Sequence, residues 1–141
     1  MNKTISWALI AFVAFVFLQS LFFKFTGSEE TVIIFNTIGE WMAGIGPLKG
    51  LAEGFAAHGG LLVGITELIA VVLLVIPATR FFGALLGLGV ISGAIFFHLF
   101  TPLGVNRVVD AAGNTDGGVL FYMACAVWVC CAILSVTHRP R

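Results

Sequence analysis

The sequence predicts an all-α membrane protein: one antiparallel bundle of four transmembrane helices, with an amphipathic helix in its long first loop. Three observations predict it. The 141 residues are 60% hydrophobic and only 10% charged, with mean hydropathy +1.09, a balance outside the range of soluble globular domains. Four apolar runs, 5–23, 59–76, 81–100 and 118–136, each approach the roughly 20 residues that a helix needs to cross a hydrocarbon core of about 30 Å. The link between the second and third runs, Pro77 to Arg80, is too short for anything but an antiparallel hairpin. A single domain spanning 1–141 is expected.

The first run begins after Lys3 and is apolar from Ala8 to Phe23 except at Gln19 and Ser20. It is longer and bulkier than the apolar part of a signal peptide, and Phe22, Phe23 and Lys24 stand where small cleavage-site residues would be needed. It is read as a retained helix with Trp7 as an interfacial anchor.

Gly27 and Ser28 then break the helix. Ser28 is a good N-cap, and Glu29 and Glu30 follow in the first turn, where the helix dipole favours acids. Up to Met42 a helical wheel gathers Val32, Ile34, Phe35, Ile38, Trp41 and Met42 on one arc. Glu29, Glu30, Asn36, Thr37 and Glu40 fall on the other, and Ile33 is out of pattern. Such a helix either lies on the membrane or caps the mouth of the bundle; a plain surface helix fits equally. Residues 44–60 are glycine-rich, and Pro47 punctuates them. They read as a hinge-like connector holding a short helix, 48–57, in which Lys49 and Glu53 pair at i, i+4.

The second run carries one acid, Glu67, near its middle. An ionised group in hydrocarbon costs several kcal/mol unless it finds a partner or water, so an intramembrane acid is a functional-site candidate. On the wheel Gly60, Gly64 and Glu67 share an arc of about 60°, which turns Glu67 into the bundle. The third run holds Gly83 and Gly87 at GxxxG spacing, and Gly89 and Gly93 repeat the spacing on another face. Small residues of this kind let helix backbones approach in lipid. Gly83, Gly87, Ala94 and His98 share one arc of about 60°, so His98 faces a neighbouring helix. Ser20 and Lys24 share a face of the first helix in the same way. The loop 101–117, with Pro102 and several glycines, is expected to be ordered, and it carries neither a phosphate-loop nor a metal signature.

Lys24, Glu67 and His98 are therefore the candidate ligand-binding or proton-relay residues, with Gln19, Asp116 and Tyr122 as supporting groups. Ideal helix rise sets Glu67 about 10 Å deeper than Lys24 and His98, so a direct Lys24–Glu67 pair stays open. Plainer roles are also open: Lys24 snorkelling to the headgroups, His98 satisfied by interfacial water, and Glu67 serving structure alone. Cys125, Cys130 and Cys131 lack CxxC spacing and read as small packing residues. His58, His98 and His138 are scattered, so no metal site is expected. With the N-terminus inside, Lys3, Arg80, Arg139 and Arg141 lie on the cytoplasmic side, against Lys24, Lys49 and Arg107 outside. That excess predicts both termini in the cytoplasm.

Three segments, FFKFTGSEETVIIFNTIG, GITELIAVVLLVIPATRFFGALLGLGVISGAIFFHL and DGGVLFYMACAVWV, resemble the DoxX family of small four-helix membrane proteins. The KFTG, GxxE and GAxxxH elements carry the resemblance most clearly. It implies a four-helix bundle in a bacterial cytoplasmic membrane, with Lys24, Glu67 and His98 at the family's recurrent polar positions. It also implies a place among proteins of which some are subunits of thiosulfate:quinone oxidoreductase or accompany other redox enzymes. This chain lacks the extra soluble domain that a self-sufficient thiosulfate oxidoreductase would need. The expectation is a quinone-linked or redox-accessory subunit, with quinone as the candidate cofactor and the lipid bilayer, a redox enzyme or a second copy as partners. A nucleic-acid partner is not expected. The alternatives are a binding or transport module for a small amphiphile or weak acid, and a scaffold that assembles through its glycine faces.

Overall fold

The computed structural model describes residues 1–140; Arg141, counted above among the cytoplasmic charges, lies outside them. The described residues form five α-helices: α1 (Lys3–Phe25), α2 (Glu29–Ala43), α3 (Lys49–Val75), α4 (Arg80–Phe100) and α5 (Val119–Thr137). Four of them, α1, α3, α4 and α5, are long and apolar enough to cross a membrane, with mean hydropathies of 1.9 to 2.4 over their most apolar windows. Only 22% to 33% of each such window is buried, so the outer surface of the bundle is a continuous sheath of Phe, Leu, Ile and Val. A sheath of that extent is stable against lipid tails and not against water.

The four long helices form a ring in which α1 and α4 each pack on both α3 and α5. Each therefore runs antiparallel to its two neighbours. In the half of the bundle away from α2, the interior is filled: Ile10, Val13, Leu74, Ala84, Val127 and Leu134 are at most 1% exposed. At that end the Arg80 guanidinium lies 4.3 Å from the centroid of the Trp7 ring, and its Nε donates to the Leu74 carbonyl at 3.1 Å. These contacts tie the start of α1 to the α3–α4 turn.

Two glycines of α4 are used up inside this packing. A Cβ on Gly83 would stand 2.7 Å from the Leu74 backbone nitrogen, and one on Gly87 would stand 3.1 Å from the Cys131 sulfur and 3.4 Å from the Phe17 ring. Gly89 and Gly93 have nothing within 4 Å. The cysteines are free, and buried Cys131 packs as an apolar side chain.

The glycine-rich connector is not a hinge. From Lys49 to Val75 the chain is one unbroken helix of 27 residues, about 40 Å long at 1.5 Å per residue. Gly39, Gly59 and Gly60 serve close packing: a Cβ on Gly59 would lie 2.7 Å from the Phe35 ring, and one on Gly39 would lie 2.8 Å from Ala56 Cβ. Helix continuity is kept because α2 lies along this stretch and covers it. Lys49 and Glu53 stay exposed and are not among the ion pairs of the described residues.

Ser28 caps α2 as read from the sequence, its Oγ accepting from the Thr31 amide at 3.3 Å. The buried face is Thr31, Phe35, Ile38, Gly39 and Met42, while Val32 is 48% exposed. The face is turned relative to the sequence wheel because it seats on α3 and on the α4 end, where Trp41, Phe55 and Phe97 surround Ile38 and Met42. Of the three readings for α2, the contacts fit a helix packed over the mouth of the bundle.

The loop 101–118 is an ordered hairpin with a Val108–Thr115 bridge. Its turn is held by Asp110, whose carboxylate accepts from the Asn114 side-chain amide at 2.7 Å and from its backbone amide at 3.1 Å. These bonds favour the ionised form and hold the Asp110 carboxyl below its ordinary pKa.

The α4 glycines predict opposite responses. Gly83→Ala is expected to lower stability by about 1–3 kcal/mol, because backbone must move to admit the methyl group. Gly89→Ala is expected to be neutral or to stabilise by up to about 1 kcal/mol. Unfolding of both variants in mixed micelles with rising denaturant measures the difference.

Candidate functional site

The half of the bundle on the α2 side is hollow. A cavity of about 550 Å³ lies there, walled by all four membrane helices and roofed by α2 and the 101–118 hairpin. That volume falls within the range of small-molecule sites. Its walls are mainly apolar, Phe17, Phe23, Ile34, Ile91, Phe97 and Met123 among them, and its polar groups are few.

The central one is an ion pair. Lys24 Nζ donates to both carboxylate oxygens of Glu67, at 2.9 and 2.8 Å, and also to Ser20 Oγ. All three ammonium protons are thereby placed. The side chains are 13% and 6% exposed. The 10 Å offset expected from helix rise is closed by geometry that a one-dimensional count leaves out. In an α-helix every Cα–Cβ bond leans toward the N-terminus. Since α1 and α3 are antiparallel, Lys24 leans into the bundle and Glu67 leans toward the α2 end, so the two converge. Gly64 helps: a Cβ there would lie 2.7 Å from the Phe25 ring, so its absence lets the end of α1 settle on α3 one turn from Glu67.

His98 is 4% exposed. Its Nδ1 lies 2.7 Å from the Gly104 carbonyl oxygen, and its ring packs edge-on against Phe121 at 5.7 Å. A carbonyl oxygen only accepts, so Nδ1 carries a proton and donates it. Among the described residues Nε2 has no hydrogen-bond partner, and His98 lines the cavity. The carbonyl is available because Gly104 takes φ +71° and turns the hairpin back over the end of α4.

The supporting residues part company. Gln19 is exposed at the margin of the cavity. Asp116 lines the roof, where its carboxylate accepts from the Gly118 amide at 2.8 Å and, in the first turn of α5, from the Leu120 amide at 3.3 Å. Tyr122 does not belong to the site. It is 64% exposed on the outside of the bundle, because one residue after the inward-packed Phe121 the helix has turned about 100°.

A residue that the sequence did not single out closes the roof. Arg107 is 5% exposed. Its Nη2 donates to Glu30 Oε2 at 2.8 Å, and its Nε lies 3.2 Å from Asp116 Oδ2. One guanidinium thus ties α2 to both limbs of the hairpin. Glu29 adds a second tie, its carboxylate accepting from the Ala111 amide at 2.7 Å. The available signal was charge order: Arg107 is the one base in its loop, with Asp110 and Asp116 after it and Glu29 and Glu30 on the same side of the membrane. Among the described residues no three His, Cys, Asp or Glu side chains converge as metal ligands.

Two outcomes follow from these contacts. Lys24→Met is expected to cost about 3 kcal/mol of stability by stranding Glu67, and Lys24→Met with Glu67→Leu to recover most of it; denaturation in micelles reads both. Arg107→Ala is expected to raise amide exchange across α2 by about tenfold while leaving the α5 core protected, as followed by hydrogen exchange and mass spectrometry. Compared with protein-family models, curated proteins and solved structures, the chain matches none.

Proposed function

We propose that this multi-pass membrane protein binds one lipid-soluble molecule in the cavity, as a DoxX-like, quinone-linked or redox-accessory subunit of a bacterial cytoplasmic membrane. The observation that carries the reading is the Lys24–Glu67 pair at 2.8 Å inside an apolar cavity of about 550 Å³. A buried ion pair is weak support for stability, since well-packed apolar residues commonly do as well or better. Its place on a cavity wall gives it another use. The ammonium can donate to a carbonyl or hydroxyl of a ligand head, and Glu67 can take up or release a proton as the head changes charge. His98 offers its free Nε2 from α4.

The KFTG, GxxE and GAxxxH elements support the family assignment, with Lys24, Glu67 and His98 at the matching positions. In this reading α2 and the hairpin face outward and both termini are cytoplasmic. Binding is favoured over transport because the other half of the bundle is filled by side chains at most 1% exposed, which leaves the cavity no exit through the far end of the bundle. A glycine-mediated self-scaffold is disfavoured at Gly83 and Gly87, which are spent on contacts within the chain.

Mass spectrometry of small molecules that co-purify in a mild detergent tests the reading. A quinone or another defined amphiphile is expected with the wild type and is expected to be lost with Glu67→Ala. Bulk lipid alone in both samples would remove the proposal.

A further inference from the structure

The lining of the cavity is unevenly covered. On the roof Thr31, Phe35, Ile38, Leu103 and Arg107 are all buried. The exposed lining residues, Gln19, Phe23, Leu62, Gly89 and Val119, stand on membrane-spanning helices. On the α2 side the roof is open only at its edge, where the Glu30 side chain is 42% exposed, and the fully exposed lining lies at the sides, on the apolar helices.

Helix geometry places the openings on two seams. On α3, Gly64 meets Phe25 of α1, and Leu62 and Thr66 lie about 160° around the helix from it, on the α4 side. On α4, Gly83 meets the α3 backbone at Leu73 and Leu74, whereas Gly89 and Gly93 line the cavity with nothing within 4 Å of an added Cβ. The two helices touch at Gly83 and leave room beside Gly89 and Gly93. The other seam, between α1 and α5, is bordered by the larger side chains of Phe23 and Val119. The α3–α4 seam is bordered on its α4 side only by the hydrogen atoms of Gly89 and Gly93, and on its α3 side by Leu62 and Thr66.

We propose that the cavity is loaded sideways from the bilayer through the α3–α4 seam, so that its ligand is an amphiphile whose apolar tail lies against Gly89 and Gly93 and whose polar head lies at Lys24, Glu67 and His98. This rests on the binding role given above and adds the ligand's route and its orientation. Gly93 and Gly89 precede His98 by five and nine residues, about 7.5 and 13.5 Å nearer the membrane centre; across the hairpin they are level with Glu67, given the Gly83–Leu74 contact, and the Glu67 carboxylate leans from there toward Lys24. A ligand so placed keeps its head toward the α2 side and its tail toward mid-bilayer, the direction that an amphiphile dissolved in that leaflet already has. The partnerless Nε2 of buried His98 marks the head end independently of the glycines.

The test needs no native ligand. In a background with Cys125, Cys130 and Cys131 replaced by Ala, Ala94→Cys puts a thiol on the cavity wall and Leu85→Cys puts one on the exposed outer face of α4. Both variants, in phosphatidylcholine nanodiscs, are treated with a long-chain N-alkyl maleimide, which partitions into lipid, or with a sulfonated maleimide, which stays in water; intact mass reports alkylation. The Ala94→Cys thiol is expected to react with the long-chain reagent about tenfold faster than with the sulfonated one. Adding Gly89→Leu and Gly93→Leu is expected to slow that reaction about tenfold without altering the Leu85→Cys control. Equal reaction with the sulfonated reagent would place the entrance on the water side, and a rate unmoved by the two leucines would exclude the seam; either overturns the proposal. If Ala94→Cys does not fold, Val63→Cys puts a thiol on the same cavity from α3. Side access without any co-purified amphiphile would sustain the route while removing the quinone-linked role, so the two failures are distinct.

Discussion

A lysine and a glutamate held in contact inside an apolar bundle constrain nearly everything around them. Each charge alone would carry a desolvation cost of several kcal/mol, and removing one partner strands the other. The pair is tolerated because Lys24 has three acceptors and each Glu67 oxygen accepts a hydrogen bond from it. That arrangement requires α1 to end against the middle of α3, which in turn requires Gly64 to be bare beneath Phe25. The interaction is therefore bound up with the helix packing, and the cavity beside it gives the charges something to act on.

The two halves of the bundle follow different packing rules. Away from α2, glycine brings backbones together: Gly83 lies on the α3 backbone, Gly87 admits Phe17 and Cys131, and side chains fill the interior. Toward α2, glycine on the same helix makes space, since Gly89 and Gly93 meet nothing. One residue type thus closes one end of α4 and opens the other, and the phase of each glycine around the helix decides which. The cap over the hollow end is built from aromatic contacts, such as Phe55 with Phe97 at 5.8 Å, and from Arg107, whose guanidinium joins α2 to both limbs of the hairpin.

Much of this was legible in residues taken one at a time. The N-cap at Ser28, the inward phase of Gly60, Gly64 and Glu67, the shared face of Ser20 and Lys24, and the inward His98 all follow from 3.6-residue periodicity. Where the reading missed, a neighbour had overridden the local pattern. The connector glycines looked like a hinge until α2 covered them, Val32 lost its place on the buried face to the seat on α3, and Tyr122 turned outward because Phe121 took the contact with His98. Arg107 was counted as a loop charge because its partners are 77 residues before it and nine after it.

The sequence by itself determined the membrane-spanning helices, their antiparallel order and the identity of the buried acid. These depend on length, hydropathy and helical phase, which are properties of one helix at a time. Only the tertiary structure decided that Lys24 reaches Glu67, that α2 packs over one end of the bundle, and that this end of the bundle is hollow. Those outcomes depend on how far apart two helices stand and which way their side chains lean, and such distances arise only when the helices pack.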